Sequence, residues 1–163
     1  MNCRMRRATE EDCGILFEWA NDPLVRRNSF SGARISWEEH TAWFAALQKR
    51  TDCGQYIYLC EEQPVGQARV TVSGTEAEVG YSICAQRRGM GHGKRILLLL
   101  EEAVRGDFPQ VKTLTARVKP ENAASQNAFL NIGYQERYRV YTRSVGDGAA
   151  EEEKEIGSHR KDE

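Results

Sequence analysis

Apolar and polar positions along this 163-residue chain change period several times. Residues 1–8 alternate loosely, as an edge strand would. Thr9 stands three residues before Asp12, an approximate capping box with Asp in place of Glu or Gln, and Ile15, Leu16 and Trp19 follow at helical spacing; a helix is predicted over 10–20. Asn21-Asp22-Pro23 ends it and opens a short second one. Ser36-Trp37-Glu38-Glu39 is a full capping box, and Trp37, Trp43, Phe44 and Leu47 form an aromatic-rich stripe on a helix over 37–48. Three β-rich stretches then follow at 56–61, 65–72 and 76–84, separated by Gln63-Pro64 and Ser73-Gly74-Thr75, the pattern of an antiparallel meander.

After residue 84 the pattern switches. A glycine-rich stretch, RRGMGHGKR, occupies 87–95, and helical spacing runs over 94–105 to Gly106. A strand is predicted at 111–118, a helix at 120–131 stopped by Gly133, and a last strand at 134–143. The segment 76–118 is thus a strand–loop–helix–strand unit, whose two strands should run parallel. The expected fold is a single α/β (α+β) domain over 1–145. It has a twisted mixed sheet of six to seven strands, mostly antiparallel with one parallel pair, flanked by about four helices.

Composition adds three limits. The overall charge of −1 gives no reason to expect nucleic-acid binding. The segment 146–163 carries seven acidic and three basic residues, a net −4 that leaves +3 for residues 1–145, and reads as an acidic, disordered tail. The five cysteines (Cys3, Cys13, Cys53, Cys60 and Cys84) are odd in number and form no C-x-x-C pair. Neither a disulfide framework nor a metal site is expected, and free thiols fit a cytoplasmic protein. The apolar run at 96–100 is far too short to span a membrane.

A glycine loop between a strand and a helix exposes backbone N–H groups at a helix N-terminus, which suits an anion. A Walker A loop requires Ser or Thr where Arg95 stands and Gly where Arg88 stands; a Rossmann loop requires a third Gly where Lys94 stands. The pattern [QR]-x-x-G-x-[GA] is satisfied in full by Arg88-Gly89-Met90-Gly91-His92-Gly93. This stretch resembles the acetyl-CoA pyrophosphate loop of the GNAT acetyltransferases. VKPENAASQNAFLNIGY, with Asn122, Ser125, Gly133 and Tyr134, is similar to that family's second signature. WANDPLVRRNSF and ISWEEHTAWF look like its branch of ribosomal-protein N-terminal acetyltransferases and bacterial nucleotide-amino-sugar N-acetyltransferases, the second being the closer match.

The resemblance implies an acetyl-CoA-dependent N-acetyltransferase acting in a ternary complex, without a metal, on a primary amine, first of all one on a nucleotide-linked amino sugar. A protein N-terminus is the second reading, and a non-catalytic acyl-CoA-binding module the third. It implies a small-molecule acceptor as partner, no nucleic acid or membrane, and a monomer or homodimer. Carried over by position, Ile83, Cys84 and Ala85 supply backbone contacts to the pantetheine arm. Arg88, Gly89, Gly91, His92, Gly93 and Lys94 surround the pyrophosphate, with His92 exposed in the loop. Asn122 binds the arm from the other side. Phe129 occupies the position of the usual tyrosine acid, so Ser125 becomes the candidate acid, and Glu78 is the candidate base. Alternatively Glu78 is an exposed strand charge, Cys84 a small core residue, and the tryptophans core. Arg27, Ser29, His40 and Trp43 are the candidate acceptor contacts.

Overall fold

The computed structural model describes residues 1–145, and the acidic segment 146–163 lies outside the described residues. Five strands, β1 (Cys3–Arg7), β2 (Cys53–Cys60), β3 (Gln63–Ser73), β4 (Glu76–Ile83) and β5 (Thr113–Thr115), form one sheet in the order β1-β2-β3-β4-β5. The first four pair antiparallel, and β4 pairs parallel with β5. Among the described residues five α-helices flank it: α1 (Cys13–Ala20), α2 (Pro23–Asn28), α3 (Trp37–Gln48), α4 (His92–Asp107) and α5 (Ala123–Leu130).

β2 is buried along its whole length, because both faces of the sheet are covered there. Its alternate residues serve two cores. Tyr56, Tyr58 and Cys60 join Val65, Val70, Val79, Ile96, Leu97 and Leu100 under α4. Ile57 and Leu59 join Leu16 and Phe44 under α1 and α3. The domain is therefore a three-layer sandwich, with α4 and α5 on one face and α1 and α3 on the other. No helix among the described residues is long and apolar enough to cross a membrane.

Local signals account for most boundaries. Ser36 Oγ accepts from Glu39 N at 3.2 Å and Glu39 Oε2 accepts from Ser36 N at 2.9 Å, so the capping box starts α3 where the spacing predicts. Asp22 accepts from the N–H groups of Leu24 and Val25 and caps α2, with Pro23 at its first position. Asp12 accepts from Thr9 N at 2.8 Å and receives both arms of Arg6 at 2.7 and 2.8 Å.

That bidentate pair carries a pH-dependent prediction. The Arg6 hydrogen bond holds the Asp12 carboxyl below its ordinary range. A depressed folded pKa means its stabilisation is present above about pH 4 and lost as pH falls through the depressed value. Asp12→Asn is expected to cost about 1–3 kcal/mol at neutral pH. Urea unfolding should show the gap between variant and parent narrowing as the pH is lowered below about 4.

Four expectations change. The segment 134–143 carries no strand: Tyr138, Val140 and Tyr141 are all exposed, so its alternation buries neither face, and the sheet among the described residues has five strands rather than six or seven. β5 pairs over three residues only, not 111–118. The β2–β3 turn falls on Glu61 and Glu62, with φ of 49° and 61°, and not on Gln63-Pro64. The left-handed pair matches the twist of a two-residue hairpin, and Arg4 holds Glu62 at 2.7 Å. Finally, Cys3 and Cys60 form a disulfide. They are register partners on neighbouring strands, with Cα atoms 4.1 Å apart, so strand pairing brings together two residues 57 positions apart in sequence.

Candidate functional site

The parallel ladder between β4 and β5 stops at Glu78↔Thr115, while β4 continues to Ile83. Beyond Glu78 the two strands part and leave one edge of β4 without a strand neighbour. Backbone groups of successive strand residues point to opposite sides. Cys84 N donates to Val65 O of β3 at 2.8 Å, so Ile83 and Tyr81 turn their backbone toward the gap. Cys84 cannot offer its N–H there, and Arg88 Nε already donates to Ile83 O at 3.0 Å. Ala85 begins a 3-10 turn that leaves the strand direction.

The gap ends at the glycine loop. Gly89 and Gly91 have φ of 74° and 79°, a region that disfavours side chains, and a Cβ on either would meet nothing within 4 Å. Gly91 is the N-cap of α4 and has no side chain with which to cap. The N–H groups of Gly91, His92, Gly93 and Lys94 therefore form a bare cluster at the positive end of a 16-residue helix. The exposed Lys94 adds charge beside it. At Gly93 a Cβ would lie 3.2 Å from Tyr81 Oη and 3.3 Å from Ala128, so the close packing of α4, α5 and β4 needs glycine there. The residues fit an extended ligand with a diphosphate at one end.

The exposure expected of His92 is overturned, and the side chains of Arg88 and Asn122 have partners within the protein. His92 is 3% exposed, because the first helical residue turns inward: its Nδ1 lies 2.9 Å from Tyr58 Oη. Burial, then Arg87 and Arg95, push its pKa down. Arg88 does not extend over the loop but binds Asp22 at 2.8 Å, tying the loop to α2. Asn122 Oδ1 accepts from Ser125 N at 3.2 Å and caps α5, so that oxygen serves the helix.

Phe129 is buried, with its ring centre 5.8 Å from Tyr81 and 4.9 Å from Tyr134. Tyr81, which the sequence reading missed, lies beside Ser125. Burial pushes the Tyr81 pKa up, and the neighbouring Ser125 partly offsets it. The signal for Tyr81 was its odd position on β4, in phase with Ala77 and Val79.

Glu78 lies on the opposite face of β4 and is held by Arg117, with Nε to both carboxylate oxygens at 3.1 Å and Nη2 at 2.8 Å. The Arg117 guanidinium sits 4.9 Å from the centre of Phe30. On this face Gln55, Gln67 and Ser82 form a hydrogen-bonded chain, 2.7 and 3.0 Å long in its two steps. A Cβ at Gly80 would meet nothing, so open space lies between Glu78 and Ser82. Trp43, 37% exposed, stands over Arg69, whose guanidinium is 5.6 Å from its ring centre. Trp37 is exposed as well, so neither tryptophan is core.

The other acceptor candidates divide. Arg27 is exposed, and its carbonyl accepts from Lys119 Nζ at 2.9 Å. Ser29 Oγ donates to Val25 O at 2.6 Å and accepts from Arg26, which closes a local turn. His40 is buried and donates from Nε2 to Cys13 O at 2.9 Å, pinning α3 to α1; burial lowers its pKa. A separate cleft lined by Val104, Lys112, Leu114 and Tyr134 lies at the far end of α4 from the loop and belongs to none of this.

Residues 2–135 match the family described as Acetyltransferase (GNAT) domain. No curated protein sequence matches the chain. Among solved structures the fold is similar to the aminoglycoside acetyltransferase AAC(6')-Ib in complex with coenzyme A (TM-score 0.72, 18% identity, 83% of this chain and 86% of that one). It is similar to spermidine N-acetyltransferase from Vibrio cholerae in complex with CoA and spermine (TM-score 0.74, 13% identity, 83% and 82%). It is also similar to a domain from Methanocaldococcus jannaschii DSM 2661 (TM-score 0.74, 21% identity, 85% and 92%).

Proposed function

The chain belongs to the GNAT acetyltransferase family, acetyl-CoA-dependent N-acetyltransferases, and on that footing we propose that it acetylates a primary amine on an anionic small molecule, a nucleotide-linked amino sugar. The observation that carries the cofactor side is the parting of β4 from β5 over a bare helix N-terminus. The acetyl thioester supplies the activated acyl group. The chain's own part begins with the N–H groups of Gly91, His92, Gly93 and Lys94, which meet the diphosphate. The backbone edge of β4 at Tyr81, with the Ile83 N–H, aligns the arm as an added strand. Both then hold the acyl carbon for attack from the opposite face of β4.

The amine must be neutral when it attacks. An amine of pKa near 8, as beside the electron-withdrawing oxygens of a sugar, needs about 1 kcal/mol for this at neutral pH, against about 4–5 kcal/mol for a lysine. Glu78, paired with Arg117, receives the proton through water. Ser125 and Tyr81, neighbours beside Phe129, supply a donor for the departing sulfur.

Charge supports this acceptor class. Arg69 stands over Trp43, Arg117 over Phe30, and Lys119 binds the carbonyl of the exposed Arg27 on α2. Such a surface repels a polycation and attracts phosphate, with exposed aromatic faces available for stacking a base. The similar structures named for aminoglycoside and spermidine acetyl transfer share an amine acceptor with this reading, but their named acceptors are cationic. Acetyl-CoA consumption with a panel of amines, with free uridine nucleotides as competitors, tests the assignment. Inhibition by the nucleotide and turnover of an anionic amino sugar are expected. Preferential turnover of polyamines would refute it.

Glu78→Gln is expected to lower the neutral-pH turnover of the amine about 10–100-fold, with the KM for acetyl-CoA unchanged. The deficit should shrink as the pH rises past the amine's own pKa, because the acceptor then loses its proton unaided. Equal rates for variant and parent at neutral pH would reduce Glu78 to a partner of Arg117.

A further inference from the structure

Beneath the glycine loop, on the α4 face of the sheet, lies a group that the acetyl-transfer reading does not use. Cys3, Cys60 and His92 each bring one donor atom within 4.8 Å of the others. Cys60 and His92 are each 3% exposed, and Cys3, half-buried on the edge strand, forms the solvent side. We propose that Cys3, Cys60 and His92 are the ligands of a thiolate–imidazole metal site for a divalent ion of the zinc class, and that the Cys3–Cys60 disulfide is its oxidised, metal-free state.

Geometry supports the assignment. Zinc takes thiolate sulfur at about 2.3 Å and imidazole nitrogen at about 2.0 Å in a tetrahedron, which sets a sulfur–nitrogen edge of roughly 3.5 Å. Cys60 Sγ and His92 Nδ1 are 3.8 Å apart with no ion present. Once the disulfide opens, rotation of the half-buried Cys3 side chain supplies the second sulfur. Arg95 Nη1 lies 3.6 Å from Cys3 Sγ. Tyr58 Oη lies 2.9 Å from His92 Nδ1 and 3.1 Å from Cys60 Sγ. It can leave the nitrogen to the ion and donate to the sulfur, the outer hydrogen bond that such ligands usually carry. Three protein donors leave the fourth position to water.

The chemistry balances. A phosphine reductant and one water convert the disulfide into two thiols and a phosphine oxide. The ion then displaces two thiol protons, which pass to solvent.

The test uses the full chain, reduced by a phosphine without oxygen and titrated with Co²⁺. A thiolate-to-cobalt charge-transfer band saturating at one equivalent is expected, together with the visible bands of tetrahedral cobalt, and Zn²⁺ should displace both. Cys60→Ser and Cys3→Ser should each weaken binding at least about 100-fold, and His92→Gln by a similar factor. The Cys13→Ser/Cys53→Ser/Cys84→Ser variant should keep the band, and oxidised parent protein should lack it. Circular dichroism checks that each variant is folded, and Cys3→Ser, altered at the half-buried edge, remains decisive where Cys60→Ser does not fold. Absence of a saturable band in the reduced parent, or its persistence in Cys3→Ser, would overturn the proposal. Because the readout is metal binding, this result is independent of whether acetyl transfer takes the acceptor proposed above.

Discussion

Replacing Gly91 by valine is expected to weaken coenzyme A binding about a thousandfold, measured by titration calorimetry, while leaving the protein folded. Gly91 has φ of 79° and is the N-cap of α4. A β-branched residue resists that conformation, so the substitution moves the loop and turns the N–H cluster away from its ligand. Each hydrogen bond to a charged group contributes about 1.5–3 kcal/mol, and losing two removes about 3–6 kcal/mol of binding, a factor of roughly 10² to 10⁴. The same space explains why folding survives: a Cβ at Gly91 would meet nothing within 4 Å. Unchanged affinity in the folded variant would show that the ligand binds elsewhere. Gly93→Val gives a contrasting control, since a Cβ there would press on Tyr81 and Ala128 and loosen the packing of α4 on α5.

The second large effect is on stability. Ile96→Ala is expected to cost about 2–5 kcal/mol, a sizeable part of the roughly 5–15 kcal/mol of a typical domain. Ile96 is fully buried one turn into α4, in the core with Tyr58, Val65, Val70 and Leu100. The cavity cannot collapse easily, because β2 beneath it is packed on both faces. The melting temperature should fall by roughly 5–15 °C. Coenzyme A should restore part of the loss, because a ligand bound only by the folded chain adds RT ln(1 + [L]/Kd). A fall of less than about 2 °C would mean that α4 is not anchored through this residue.

Much of the fold was legible along the chain because its signals are local. The Ser36 box starts α3, Asp22-Pro23 starts α2, and Gly133, at φ 97°, follows the end of α5. Each is a backbone hydrogen bond or a conformational preference decided within a few residues. The last strand was misread because alternation shows only that a segment can bury one face. Whether a neighbour exists to cover Tyr138 and Val140 is not encoded nearby.

The site divides in the same way. The glycine spacing and the helix behind it identify an anion cradle, since positive φ and unpaired N–H groups are properties of the loop itself. Side-chain destinations are different. His92 lies in the loop yet points into the core, Arg88 crosses to Asp22, and His40 serves a carbonyl of α1. Tyr81 reaches Ser125 across 44 residues, and Cys3 meets Cys60 across 57. Local conformation is chosen by each residue and its nearest neighbours, so residue order suffices for the helices, the turns and the bare amides. Which side chains meet depends on strand register and on how the layers stack, and those are settled only when the whole chain closes on its two cores.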